Sequence, residues 1–282
     1  MRLTRLTTLF VAAIAIAGCG SDKITSTSFP PLAGVRWINA VSDTGAIDVR
    51  AIDQVEFSPV VNALAYTKGT EHQPIEAKAR HFRAFITSTN QAITSNPIVD
   101  TTITFAANQR YTVLITGAAR SKVSFVVIDD NPAAAPSGQI GIRAVNASSG
   151  AIDAYVVDST NTPVAAPATA ANVAPLTASP YVGHAAAKVA VRVTPAGTPG
   201  TVSASQQGPY PPATLPSEAP AAGVTTASTP FSVYYFPAGV PGSPTAPTTG
   251  TNRCGVPAPG VQLATCVPLV IWFVDNVPTP TP

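Results

Sequence analysis

The chain has 282 residues, and only 11% of them are charged, against roughly 25% in ordinary soluble proteins. Sixteen Lys and Arg stand against 14 Asp and Glu, so the basic face that nucleic acid requires does not follow from the charge balance. The 29 prolines exclude a dominantly helical bundle, and 19 glycines cannot supply the strict period of a collagen.

The N-terminus reads as an address. Arg2 and Arg5 precede an apolar run at residues 9–17, which is shorter than the ~20 residues of a bilayer-spanning helix and suits the hydrophobic region of a secretory signal peptide. Ile16-Ala17-Gly18-Cys19 resembles the bacterial lipobox, which implies cleavage before Cys19 and lipidation of its thiol. Residues 1–18 are therefore expected to be removed. Cleavage takes away two of the 16 basic residues and no acid, leaving no formal net charge. Membrane attachment is then expected through the acyl group and not through a basic surface. Gly20 stands where Asp would resemble an inner-membrane retention signal, which favours the outer membrane and leaves the face open. Residues 19–33 carry no amphipathic period and read as a tether.

Beyond the tether, one pattern occurs twice. Gly34-Val35-Arg36-Trp37-Ile38-Asn39-Ala40 matches Gly141-Ile142-Arg143-Ala144-Val145-Asn146-Ala147, and Gly45-Ala46-Ile47-Asp48 matches Gly150-Ala151-Ile152-Asp153. Tyr111 to Ile115 parallels Phe231 to Tyr235, and each copy ends in an apolar run followed by Asp-Asn. The period is two residues, as in Val189, Val191 and Val193, with turns at 106–108 and 117–119. Five to seven short strands per ~100 residues suggest an antiparallel sandwich, broadly immunoglobulin-like. The fold expected is all-β, two tandem antiparallel β-sandwich domains after a lipoprotein signal peptide. Their expected extents are 34–132 and 139–277, joined by a linker at 133–138 and followed by a tail at 278–282. Residues 62–79 have room for one helical turn. Of the 29 prolines, 22 lie in residues 160–282, where Pro-rich insertions at about 206–230 and 240–265 read as loops of the second copy.

The lipobox and the tandem (V/I)-R-x-(V/I)-N-A units, each followed by an A-I-D strand, resemble the bacterial domain-of-unknown-function family 4397 (DUF4397). The residues that carry the resemblance are Val35-Arg36, Asn39-Ala40 and Ala46-Ile47-Asp48-Val49, then Ile142-Arg143, Asn146-Ala147-Ser148 and Ala151-Ile152-Asp153. The resemblance implies an exported all-β domain, often lipid-anchored, and brings no established chemistry.

Candidate sites are few. His72, His81 and His184 share no metal-ligand spacing. Neither a G-x-S-x-G elbow nor a Gly-rich phosphate loop occurs, so no catalytic residue, metal or cofactor is expected. Asp129, Asp130 and Asn131 cluster before the linker, without the D-x-D-x-D-G loop that calcium favours. A catalytic set is rarely duplicated in both halves of a chain. Arg36, Asn39, Asp48 and Arg143, Asn146, Asp153 therefore read as structural, each Asn closing its first strand and each Arg pairing with its Asp across neighbouring strands. Cys254 and Cys266 suit a disulfide in an exported protein. Tyr234, Tyr235 and Trp272 suit an exposed aromatic face for a glycan or protein partner. Residues 20–132 are expected to fold alone. The function expected is a non-enzymatic, lipid-anchored cell-envelope protein for binding, adhesion or envelope structure. The alternative is a periplasmic glycan- or ligand-binding accessory module beside an envelope enzyme or transporter.

Overall fold

Strand signals dominate the chain because β-branched and aromatic residues recur at alternate positions between turn residues. The computed structural model describes residues 30–53, 59–118, 122–131, 135–158, 163–165, 167–208, 229–240 and 267–275. Cys19, Cys254 and Cys266 lie outside the described residues. The first half forms β1 (Leu32–Asn39), β2 (Ile47–Ala51), β3 (Pro59–Leu64), β4 (Gln73–Glu76), β5 (Ala79–Ile86), β6 (Val99–Thr104), β7 (Arg110–Ala118) and β8 (Lys122–Asp129). Its two sheets run β4-β1-β7-β8 and β3-β2-β5-β6. The second half forms β9 (Gln139–Asn146), β10 (Ile152–Val157), β11 (Ala170–Val173), β12 (Val182–Ala185), β13 (Val189–Pro195), β14 (Ala204–Gly208), β15 (Pro230–Phe236) and β16 (Leu269–Val274). Its sheets run β12-β9-β15-β16 and β11-β10-β13-β14, the same order displaced by eight strands.

The protein is therefore all-β and built as two sandwiches. In each, the first strand joins the seventh in parallel, β1 to β7 and β9 to β15, while the other ladders are antiparallel. Immunoglobulin domains order their strands A-B-E-D and C-F-G. The likeness here is one of architecture, two sheets over a shared core, and not of strand order. The helical turn sits not in residues 62–79 but at α1 (Gln91–Thr94), where the Asn90 side chain accepts from the Ala92 amide at 3.0 Å. Among the described residues no helix is long and apolar enough to cross a membrane.

Three apolar cores hold these sheets. Trp37, Phe82 and Phe105 centre the first, with Trp37 meeting Phe82 edge-on at 5.1 Å. Ile142, Phe231 and Trp272 centre the second. A third joins residues of both halves, with Ile38, Tyr66, Leu114 and Ile128 against Val145, Tyr234, Phe236, Ile271 and Phe273. It follows that β1, β7, β9 and β15 are covered on both faces. Side chains alternate across a strand, so Val35 and Trp37 enter the first core while Arg36 and Ile38 face the other half. The approach is close. A Cβ on Gly69 would stand 2.7 Å from the Phe273 ring and 3.0 Å from Ile38, so only glycine lets the two halves meet there.

Candidate functional site

The charged residues that close packing should exclude are found in this third layer. Arg36, Asp130 and Asp275 are fully buried, and Arg143 is 5% exposed. Burying an ion is favourable only if it is paired and its remaining polar atoms are satisfied. The sequence meets that demand with one arrangement used twice. Arg36 Nε donates to Thr112 Oγ1 at 3.1 Å, and that hydroxyl donates to Asp130. Arg143 Nε donates to Ser232 Oγ at 2.6 Å, and that hydroxyl donates to Asp275 at 2.6 Å. Each guanidinium also crosses to the other half. Arg36 Nη2 reaches Asp275 at 2.7 Å, and Arg143 Nη2 reaches Asp130. Their Nη1 atoms donate to equivalent carbonyls, Arg36 to Val274 at 3.3 Å and Arg143 to Asp129 at 2.8 Å. The result is a reciprocal clamp. Each arginine meets its own half's carboxylate through a hydroxyl and the other half's carboxylate directly, and Arg36 Nη2 also reaches Asp130 directly at 3.2 Å.

Aromatic rings close the clamp. Arg36 lies 5.1 Å from the Phe273 ring centre and 5.7 Å from that of Tyr234, while Arg143 lies 4.7 Å from that of Tyr181. Tyr181 donates to Asp275 at 2.9 Å, and His72 Nε2 contacts Asp130 at 3.1 Å. Burial pulls the Arg36 pKa down, but Tyr234, Asp130 and Asp275 together outweigh it and raise it. Burial works against ionising Asp130, yet Arg36, the His72 hydrogen bond and Arg143 hold its carboxyl well below the usual range. The Tyr234 phenol is pushed up to about 12, chiefly by burial.

His72 behaves differently. Burial, aided by Arg36, lowers its pKa against the favourable hydrogen bond to Asp130. Its Nδ1 is buried with no partner, so protonating that atom would bury an unmatched N–H. The folded protein thus prefers neutral His72, whereas an unfolded histidine takes up its proton near pH ~6.5. Stability is fully present above that pH and falls as pH drops below it. The part due to Asp130 is full above the unfolded carboxyl value of ~4 and is lost only further down. Urea unfolding between pH 7.5 and 5 is expected to show a decline that His72→Gln flattens. An equal slope in both proteins would refute this assignment.

Arg36 and Arg143 do not pair with Asp48 and Asp153. Those carboxylates instead hold matching irregularities beside β2 and β10. Asp48 accepts from the Ala63 amide at 2.7 Å and from Thr87 at 2.6 Å, and Asp153 accepts from the amides of Asn172 at 2.7 Å and Gly197 at 2.8 Å. Ala63 and Asn172 both have positive φ, 51° and 49°, where a fixed acceptor offsets the strain. Asn39 Oδ1 accepts from the Val41 amide and Asn146 Oδ1 from the Ser148 amide, both at 2.9 Å. Each Asn also donates inward, Asn39 to Leu64 and Asn146 to Val173. Asp130 is taken up by two guanidinium groups, and no group of metal ligands occurs among the described residues.

The aromatic face expected to be exposed is buried. Tyr234 is 0%, Tyr235 9% and Trp272 1% exposed. Opposite faces of β15 carry Tyr234 and Tyr235, but both faces are covered, one by the third core and one by the second. The Trp272 ring lies on Gly208, where a Cβ would stand 2.1 Å away. Sequence reasoning weighed His72 and Asp130 for other roles and missed Thr112, Tyr181, Ser232 and Asp275. The signal available was the duplication of Asp130 and Asp275 after equivalent apolar runs.

The open feature lies at the other end of the same interface. Past Ile38 and Val145, where β1 and β9 end, a cleft of about 410 Å³ opens between the halves. Thr116, Lys122 and Ser124 line it from the first half, and Ser148, Ser149 and Leu176 from the second. None of the described residues lining it is acidic. The hydroxyls of Thr116, Ser124 and Ser149 and the Lys122 ammonium have no hydrogen-bond or ion-pair partner among the described residues.

Comparisons with known proteins add a family match over part of the chain. Residues 33–155 match the model described as Domain of unknown function (DUF4397). The DUF4397 match opens with β1 and runs into β10, so it crosses from the first sandwich into the second. No curated protein matches. A crystal structure of a candidate cell adhesion protein from Parabacteroides distasonis ATCC 8503 is similar at 8% identity over 87% of this chain and 99% of that one, with a TM-score of 0.19. At that score nothing of the neighbour's role is carried over.

Proposed function

We propose that this chain is a non-enzymatic protein of the bacterial cell envelope, anchored by a lipid on Cys19, whose two fused sandwiches serve binding, adhesion or envelope structure. The second sandwich is read as a second copy of the DUF4397 unit. The observation that carries the reading is where the titratable groups are used. The buried cluster of guanidinium and carboxylate groups, which in an enzyme would face a substrate, is sealed between the halves and satisfied by its own members and by neighbouring hydroxyls and carbonyls. The lipobox-like Ile16-Ala17-Gly18-Cys19 supports the anchor, and Gly20 favours the outer membrane. The cleft supports the second reading, a periplasmic ligand- or glycan-binding accessory module.

The anchor is testable directly. Wild-type protein in a bacterial host is expected to incorporate labelled fatty acid and enter the detergent phase. Cys19→Ala is expected to do neither. A wild-type protein that stays in the aqueous phase and takes up no label would refute the anchor. Protease shaving of intact cells then separates a surface adhesin from a periplasmic module.

A further inference from the structure

The two halves match strand for strand, so positions where they differ in chemistry are informative. In the register of the ladders, Thr112 pairs across with Arg36 and Ser232 with Arg143. Counting on from there, Thr116 corresponds to Phe236. Thr116 pairs with Ser124, and Phe236 pairs with Leu269, so Ser124 corresponds to Leu269. In the second half these positions are filled. Phe236 is fully buried and meets the Tyr66 ring at 6.1 Å. In the first half the same positions carry two short hydroxyl side chains, and the volume given up is where the cleft opens. The fold tolerates Phe and Leu there and does not require Thr and Ser.

The lining defines the chemistry of an occupant. A hydroxyl both donates and accepts, so three unpartnered hydroxyls match a ligand that is itself a polyol. Thr116 is 5% exposed and lines the cleft beside Ser124. Leu176 and Pro237 supply an apolar wall suited to the C–H face of a pyranose ring. Lys122 places a cation at the rim with no acid among the described lining residues. Among the described lining residues there is one lysine, no arginine and no aromatic ring, a set that suits a single carboxylate better than a polyphosphate or a nucleobase.

We propose that the cleft between the two sandwiches binds a small acidic saccharide, with Thr116, Ser124 and Ser149 meeting its hydroxyls and Lys122 its carboxylate. This deepens the binding reading above and rests on it. The test is calorimetric titration of the purified full chain with glucuronate, galacturonate and N-acetylneuraminate, with glucose and acetate as controls. At least one acidic sugar is expected to saturate at millimolar concentration. Lys122→Met is expected to weaken that sugar about tenfold, as loss of one charge-assisted contact implies. Ser124→Leu, which installs the residue of the filled half, is expected to abolish binding without lowering Tm. Absence of binding by all three acids, or binding unaffected by both variants, would overturn the proposal. Fatty-acid labelling and surface exposure of Lys122→Met and Ser124→Leu report on the envelope reading separately. If those persist while no sugar binds, the cleft inference alone fails.

Discussion

Asp130→Ala is expected to cost about 3–5 kcal/mol of stability, because it leaves two buried guanidinium groups short of their counter-charge. For a chain of this size that is a fall of ~10 °C in Tm. The carboxylate accepts from Arg36, Thr112 and Arg143 and touches His72, so four side chains lose a partner at once. Asp275→Ala should behave alike, since Asp275 takes Arg36, Ser232 and Tyr181. The two losses should not add, because both carboxylates neutralise Arg36. Replacing Arg36, Arg143, Asp130 and Asp275 together by Met and Leu should recover much of the loss, as apolar replacement of a buried ion network often does. Thermal or urea unfolding of wild type, the two single variants, their combination and the fourfold replacement checks this. An Asp130→Ala protein within 1 °C of wild type would show that the clamp carries none of the stability.

Residues 20–132 expressed alone are expected to self-associate. The alternation along β1 and β7 that buries Val35, Trp37 and Val113 in the first core also places Ile38 and Leu114 on the opposite face. In the whole chain that face is covered by Tyr234, Ile271 and Phe273. In the fragment it is a contiguous apolar surface, with Arg36 deprived of Asp275, and such surfaces drive association. The internal likeness of the halves makes a second copy the natural cover, since it brings its own Arg36 and Asp130 to the places of Arg143 and Asp275. Light scattering after gel filtration should report a dimer or larger species. A monomer with the Tm of the full chain would mean that the third core adds little and that each sandwich is autonomous.

Much of the architecture is local information. The two-residue alternation in Val35 to Ile38 and Val189 to Val193 sets strands, because neighbouring side chains of a strand face opposite sides. The repeated Arg-x-x-Asn and Ile-Asp segments announce two matching halves. The contact of Asn39 with Val41 is likewise local, an Asn side chain bonding an amide two residues on. Partner choice is not local. Arg36 has Asp48 twelve residues away on a strand expected nearby, and the sequence alone gives no reason to prefer Asp275 at the far end of the chain. The reason is geometric. Val35 and Trp37 occupy the sandwich core, so Arg36 must point out of it, towards the other half, while Asp48 lies in the other sheet and holds the Ala63 amide. The same step misplaces Tyr234 and Tyr235. One face of a strand can be assigned from alternation, but whether the second face meets water or another sheet depends on how the halves dock. Sequence by itself determined the strand-rich fold class, the duplicated segments and the residues that recur in them. Tertiary packing alone decided that the recurring arginines join the halves and that Thr116 and Ser124 open a cleft where Phe236 and Leu269 fill one, because both outcomes depend on surfaces brought together from distant parts of the chain.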